Sequence, residues 1–189
     1  MKKVDRRVRK TKKAIQDGLA DLMLTKDLRN ITVQELSDKA DVHRATFYSH
    51  YTDVYDLYSQ MEDNAINEII EIVCCDPSQA YDDVFSVIIG YVYDNAKMCR
   101  LFLDKKRSMG FADRLSAILE SRLEQWLIEN KGDDHAEKWK YYASYHVQGC
   151  LAIVNCWAMH DFTHSKEGII KIISQVDSYF DGVVHPANR

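Results

Sequence analysis

Residues Ile31–Tyr51 read ITVQELSDKADVHRATFYSHY, and their spacing describes two short helices joined by a tight turn. Thr32 is a good N-cap and Glu35 falls three residues later, so hydroxyl and carboxylate are placed to satisfy orphan backbone N–H groups reciprocally, as a capping box. Ile31 before the cap and Leu36 after it are the matching hydrophobic staple. The first helix runs to about Lys39 or Ala40, because Asp41 and Val42 interrupt the pattern before a new one begins near His43. In the second helix Phe47 and Tyr51 share one face and, with Val42, Leu36 and Val33, form the inner side of the pair. Opposite them lie Ala45, Thr46, Tyr48 and Ser49, with Arg44 and His50 on the flanks. A face of small and hydrogen-bonding groups fits a major groove, offering Arg44 to guanine edges or phosphate, and Tyr48, Thr46 and His50 to phosphates or bases. The competing reading is an ordinary helical hairpin whose Tyr and His are merely half-buried.

The order T-V-Q-E-L-S-D-K-A-D-V-H-R-A-T-F-Y-S-H-Y, followed by T-D-V-Y-D-L, resembles the DNA-binding signature of TetR-family (TetR/AcrR) transcriptional regulators, over roughly Thr11 to Leu57. The resemblance implies an all-α protein, with a three-helix helix-turn-helix head at residues 1–53 and a helical body at 54–189 for effector sensing and dimerisation. It further implies a homodimer on a palindromic double-stranded DNA operator, no cofactor, and release by an effector held in the body, as in a repressor. Mapped onto this chain, the DNA-contacting positions are Thr32, His43, Arg44, Ala45, Thr46, Tyr48, Ser49 and His50, with Lys12 from the preceding helix. Three positions depart from the family pattern. Asp41 stands where the turn usually has Gly and must take a left-handed or nearby conformation, which Asp tolerates better than most residues. His43 replaces the usual Ser or Thr cap, and Val54 replaces a phosphate-binding Lys. An activator or co-regulator switched by a protein partner or a metal, and a helical adaptor without sequence discrimination, are the alternatives.

Composition supports the helical reading. Among 189 residues, 46% hydrophobic, only two are proline and seven glycine, which favours long uninterrupted helices around a substantial core. Net charge is −4, but residues 1–50 hold 12 Lys and Arg against 7 Asp and Glu, a net of +5, and the remainder carries −9. A basic head on an acidic body is the footprint of a small DNA-binding module. The basic run Lys2, Lys3, Arg6, Arg7, Arg9, Lys10, Lys12 and Lys13 is either a solvated tail or an arm lying along phosphates or in a minor groove. Its charge density leaves no apolar core for a signal peptide, and no later run is long enough to span a bilayer, so the expected compartment is the cytoplasm, without a membrane. Five cysteines, Cys74, Cys75, Cys99, Cys150 and Cys156, show no C-x-x-C spacing and read as reduced core residues.

Periodicity predicts further helices over about Thr11 to Met23, Thr52 to Val73, Gln79 to Asn95, Ala96 to Leu103, Phe111 to Asn130, Ala136 to His160 and Lys166 to Asp181. Breaks fall at Cys74–Ser78 with Pro77, at the basic turn Asp104–Gly110, and at Lys131–Asp134 with Gly132. The helix from Thr52 is long enough to belong to two parts of the molecule. Phe85, Tyr91, Tyr93, Trp126, Tyr145 and Trp157 are candidates to line a small-molecule effector pocket, against the plainer reading as core aromatics. Tyr142, His146, Gly149 and Ile153 on one late helix, with Ile169, Ile173 and Val176 on the next, make apolar stripes suited to a four-helix dimer interface. His146/Cys150 and His160/His164 are each four apart, a spacing two metal ligands on one helix can share, but no metal is expected at them. There is no glycine-rich phosphate loop, G-x-S-x-G or H-E-x-x-H, so no enzyme is expected.

Overall fold

A computed structural model of the chain describes residues 6–74, 81–104, 110–131 and 136–184, with side chains at all of these except 74, 81–85, 136 and 177–184. Lys2 and Lys3, Cys75, the break around Pro77, most of the basic turn before Gly110, and the break at Gly132 lie outside the described residues. Among the described residues regular structure is helical: α1 (Arg6–Met23), a 3-10 turn (Leu28–Asn30), α2 (Val33–Lys39), α3 (Arg44–Tyr48), α4 (Val54–Cys74), α5 (Tyr81–Asp94), α6 (Ala96–Leu103), α7 (Phe111–Lys131), α8 (Ala136–Met159) and α9 (Lys166–Val184). Among the described residues no helix is long and apolar enough to cross a membrane.

The chain divides into two compact units, Met1–Asn67 and Glu68–Arg189, and α4 contributes residues to both. In the first, Ile15, Leu19, Leu36, Phe47, Leu57 and Tyr58 are fully buried. Gly18 lets α1 approach α2 closely, since a Cβ there would sit 3.3 Å from Leu36 Cδ1 and 3.4 Å from Ala40 Cβ. Helix α1 begins at Arg6, earlier than the apolar pattern alone indicates. Lys and Arg are good helix formers, so the basic stretch extends the amphipathic segment that follows it.

In the second unit α8 is the central element, packing on α7, α6 and α9, while α5 lies against α9. Its end is fixed by a Schellman motif. Asp161 takes φ 57° and Phe162 N–H donates to the Trp157 carbonyl at 3.0 Å. The Phe162 ring then packs edge-on against Trp157 at 4.9 Å, the apolar contact that such a cap brings. Arg100 Nε donates to the Ala158 carbonyl at 3.2 Å, and its guanidinium pairs with Asp161. These contacts tie α6 to the α8–α9 corner.

Candidate nucleic-acid interface

Helix α2 starts at Thr32, whose hydroxyl accepts the Glu35 N–H at 3.2 Å. The Glu35 carboxylate goes to the Lys26 ammonium. The staple residues Ile31 and Leu36 are both buried. The turn into α3 is a second Schellman motif, with Asp41 at φ 53° and Val42 N–H donating to the Ser37 carbonyl at 3.0 Å. This is the left-handed conformation that an Asp in place of Gly demands. His43 is the N-cap of α3 and makes no side-chain cap bond.

Helix α3 is held from one side. Phe47 is fully buried, and Tyr51 just beyond the helix is nearly so, their ring centroids 5.6 Å apart. Burial raises the Tyr51 phenol above its ordinary value, with the Asp56 charge adding to this and a hydrogen bond from Gln16 of α1 opposing it. From the other side, His43, Arg44, Ala45, Tyr48 and Ser49 are exposed, Thr46 and His50 half-buried. Ser49 turns its hydroxyl back to the Thr46 carbonyl at 2.7 Å. Thr32 is exposed at the start of α2. Lys12 of α1 is half-buried and lays its ammonium 5.8 Å over the Tyr51 ring. Below α3, α4 is opened by Asp53 and Asp56: Asp53 accepts the Asp56 N–H and Asp56 accepts the Thr52 N–H, each at 2.8 Å. The Asp56 carboxyl is held below its ordinary value, first by the Thr52 N–H and next by Gln60. Val54 is buried and packs rather than presenting a charge.

The pocket candidates of the second unit are scattered. Tyr93 stacks on buried Trp157 at 6.1 Å, with Phe162 against both and the Lys166 ammonium 5.0 Å over Tyr93. Tyr145 is 72% exposed, Trp126 is exposed on α7, and the Phe85 side chain lies outside the described residues. Tyr91 is half-buried and hydrogen-bonded to Glu68; burial first, then the Glu68 charge and bond, and the nearby Cys99, drive its phenol well above the ordinary range. Burial likewise pushes the Cys99 thiol up to about 12. The Glu68–Tyr91–Cys99 group joins residues far apart in the chain, and no periodicity announces it.

The stripe predicted on α8 is broader than one face. His146 is buried and Tyr142 packs on the Leu127–Trp139 cluster, while Gly149 and Ile153 are half-buried at its edge. Ile169 and Ile173 of α9 are buried within the unit, and Val176 is exposed. The face left open is Tyr141, Tyr145, Ala152, Cys156 and Met159 on α8, with Ile172 and Val176 on α9. A Cβ added at Gly149 would meet nothing within 4 Å. Cys150 Sγ lies 3.9 Å from His146 Nε2, and Cys156 Sγ 3.7 Å from His160 Nδ1. His164 lies past the end of α8 and shares no helical face with His160. Among the described residues no group of three or more His, Cys, Asp or Glu is placed to hold a metal ion.

A capped helix, a left-handed turn and a second short helix anchored by aromatics on one side and polar on the other form a helix-turn-helix. Comparison with known proteins agrees. Residues 79–177 match the TetR model described as "Transcriptional regulator C-terminal region", and the chain belongs to the TetR family of transcriptional regulators. It is 27% identical over 147 residues to an uncharacterized HTH-type transcriptional regulator, YxbF, of Bacillus subtilis (strain 168). That alignment takes in 76% of this chain but only 38% of the relative's length. The fold is shared with an AcrR-family regulator from Aquifex aeolicus VF5 (TM-score 0.68, 13% identity, 90% of this chain and 99% of that one). It is shared too with a TetR regulator from Streptococcus agalactiae 2603V (TM-score 0.60, 21% identity, 91% and 96%).

Proposed function

We propose that the chain is a sequence-specific DNA-binding regulator that acts as a homodimer on a palindromic operator and represses by occupying it. The observation carrying this reading is the exposed face of α3, where Arg44, Ala45, Tyr48 and Ser49 stand clear of a core held by Phe47, Tyr51 and Leu36. Arg44 makes the base contact; Tyr48, Ser49, His50, His43 and Thr32 serve phosphates and base edges; Lys12 and the basic start of α1 supply phosphate affinity. Residues 1–53 carry the DNA contacts and 54–189 the regulatory function, with the first turns of α4 packed into the compact unit Met1–Asn67. Two copies related by a two-fold axis read half-sites spaced by about one helical turn or a small multiple of it.

The second copy joins through the open face of α8 and α9. Aromatic, small and aliphatic side chains dominate it, and the free space over Gly149 admits a neighbouring helix. A small-molecule effector binds in the second unit, beside Tyr91 and Tyr93, and shifts α4, the helix that runs into the DNA-binding unit. The effector releases DNA only as far as it prefers the shifted state. The test is selection of bound sequences from random duplex DNA at near-physiological salt. A recovered palindrome supports the dimeric regulator and supplies the operator; folded protein that enriches no sequence turns the reading toward an adaptor.

A further inference from the structure

The exposed cation of α3 has an aromatic neighbour on its own helix. Arg44 and Tyr48 are four residues apart on one helix, and the Arg44 guanidinium carbon lies 5.9 Å from the Tyr48 ring centroid, with Nη2 3.5 Å from the hydroxyl. Tyr48 in turn meets Phe47 edge to face, centroids 5.6 Å apart and planes at 87°. Phe47 is fully buried and Tyr48 is 50% exposed, so the three side chains form a continuous line of contacts from the core of the unit to its polar face. A guanidinium over an aromatic face, with one Nη2 N–H directed to the phenol oxygen, keeps its remaining N–H groups at the rim of the plane, where a bidentate contact to guanine O6 and N7 needs them. Holding it there beforehand removes part of the side-chain entropy lost on binding.

From this line of contacts we infer that Tyr48 is a positioning residue for Arg44, and that the pair reads one guanine per half-site as a unit. The inference rests on the DNA-binding reading above and goes beyond it, because Tyr48, placed there among the phosphate and base-edge contacts, then also acts through Arg44 on base preference.

The experiment uses full-length protein and titrates the wild type, Arg44→Ala, Tyr48→Phe, Tyr48→Leu and the Arg44→Ala/Tyr48→Leu double variant. The duplexes are the selected operator and its set of single-base substitutions. Arg44→Ala should lower the preference for guanine at one position by roughly 5- to 100-fold. Tyr48→Leu, which keeps bulk but has no ring face, should lower the preference at that same position by about two- to fivefold. Tyr48→Phe should restore most of it, and the double variant should discriminate no less than Arg44→Ala alone. A loss that is equal across all substituted duplexes would make Tyr48 an independent phosphate contact and overturn the inference, as would full additivity in the double variant. Should the wild type enrich no motif, the DNA-binding reading itself fails and takes this inference with it; a wild-type motif that Tyr48→Leu leaves untouched removes only the inference. Tyr48 is half-exposed, and an unchanged thermal midpoint verifies that each variant is folded.

Discussion

The two units of this molecule are built by different means. In the first, short elements are fixed by local chemistry: a Thr32 cap, a left-handed Asp41, the Asp53 and Asp56 carboxylates that accept the Asp56 and Thr52 N–H groups, and the aromatic anchors Phe47 and Tyr51. In the second, long helices are fixed by one another, with α8 packed on three neighbours and its end secured by Phe162 and Arg100. Local fixing suits a surface that must present named side chains at known positions. Mutual fixing suits a body that keeps Tyr141, Tyr145 and Met159 exposed on one face without loosening its core.

If that contrast holds, damage to the anchor of the first unit should be severe and confined. Phe47→Ala should cost about 3–5 kcal/mol. Calorimetry should show the transition of the first unit lost or lowered while that of the second persists. On the body the largest effect should come from a charge on its open face. Ala152→Arg should turn the proposed dimer into a monomer in sedimentation at micromolar concentration, with helix content unchanged; a dimer that survives would place the interface elsewhere. Cap loss is smaller, and Thr32→Ala should lower the urea-derived stability by about 1 kcal/mol.

The two left-handed corners sharpen the comparison further. Asp41 has no apolar role in its conformation, so Asp41→Gly should be neutral or stabilise by up to about 1 kcal/mol. Phe162→Gly relieves the same kind of backbone cost at φ 55° but removes the ring that closes on Trp157, and its net effect should be destabilising. The smallest effect is electrostatic. Asp56 has a folded value depressed below its ordinary 3.8. Its contribution is therefore fully present above the unfolded value and is lost as pH falls through the folded one. A urea midpoint followed from pH 6 to 3 should drop less below pH 4 in Asp56→Asn than in the wild type.

The same contrast explains what the sequence disclosed. Thr32, Asp41, Phe47 and Tyr51 act over three to five residues through rules that hold whatever surrounds them, so the helix-turn-helix was legible. The beginning of α1 was not, because a basic run looks the same whether it continues a helix or trails in solvent. On α8 the apolar residues cover most of the circumference, and periodicity could not say which strip stays open. The open strip proves to be Tyr141, Tyr145, Ala152, Cys156 and Met159, rotated from Tyr142 and His146. Phe162 and the Glu68–Tyr91 bond depend on residues brought together only by the finished fold.

The central claim, that the exposed face of α3 reads sequence, is tested most directly by one ratio. Competition titration of the wild-type protein between the selected operator and a scrambled duplex of equal length, at physiological salt, measures specificity free of the electrostatic background. The account predicts a preference on the order of a thousandfold or more. A preference within about threefold, with both duplexes bound at the strength of non-specific DNA, would contradict it.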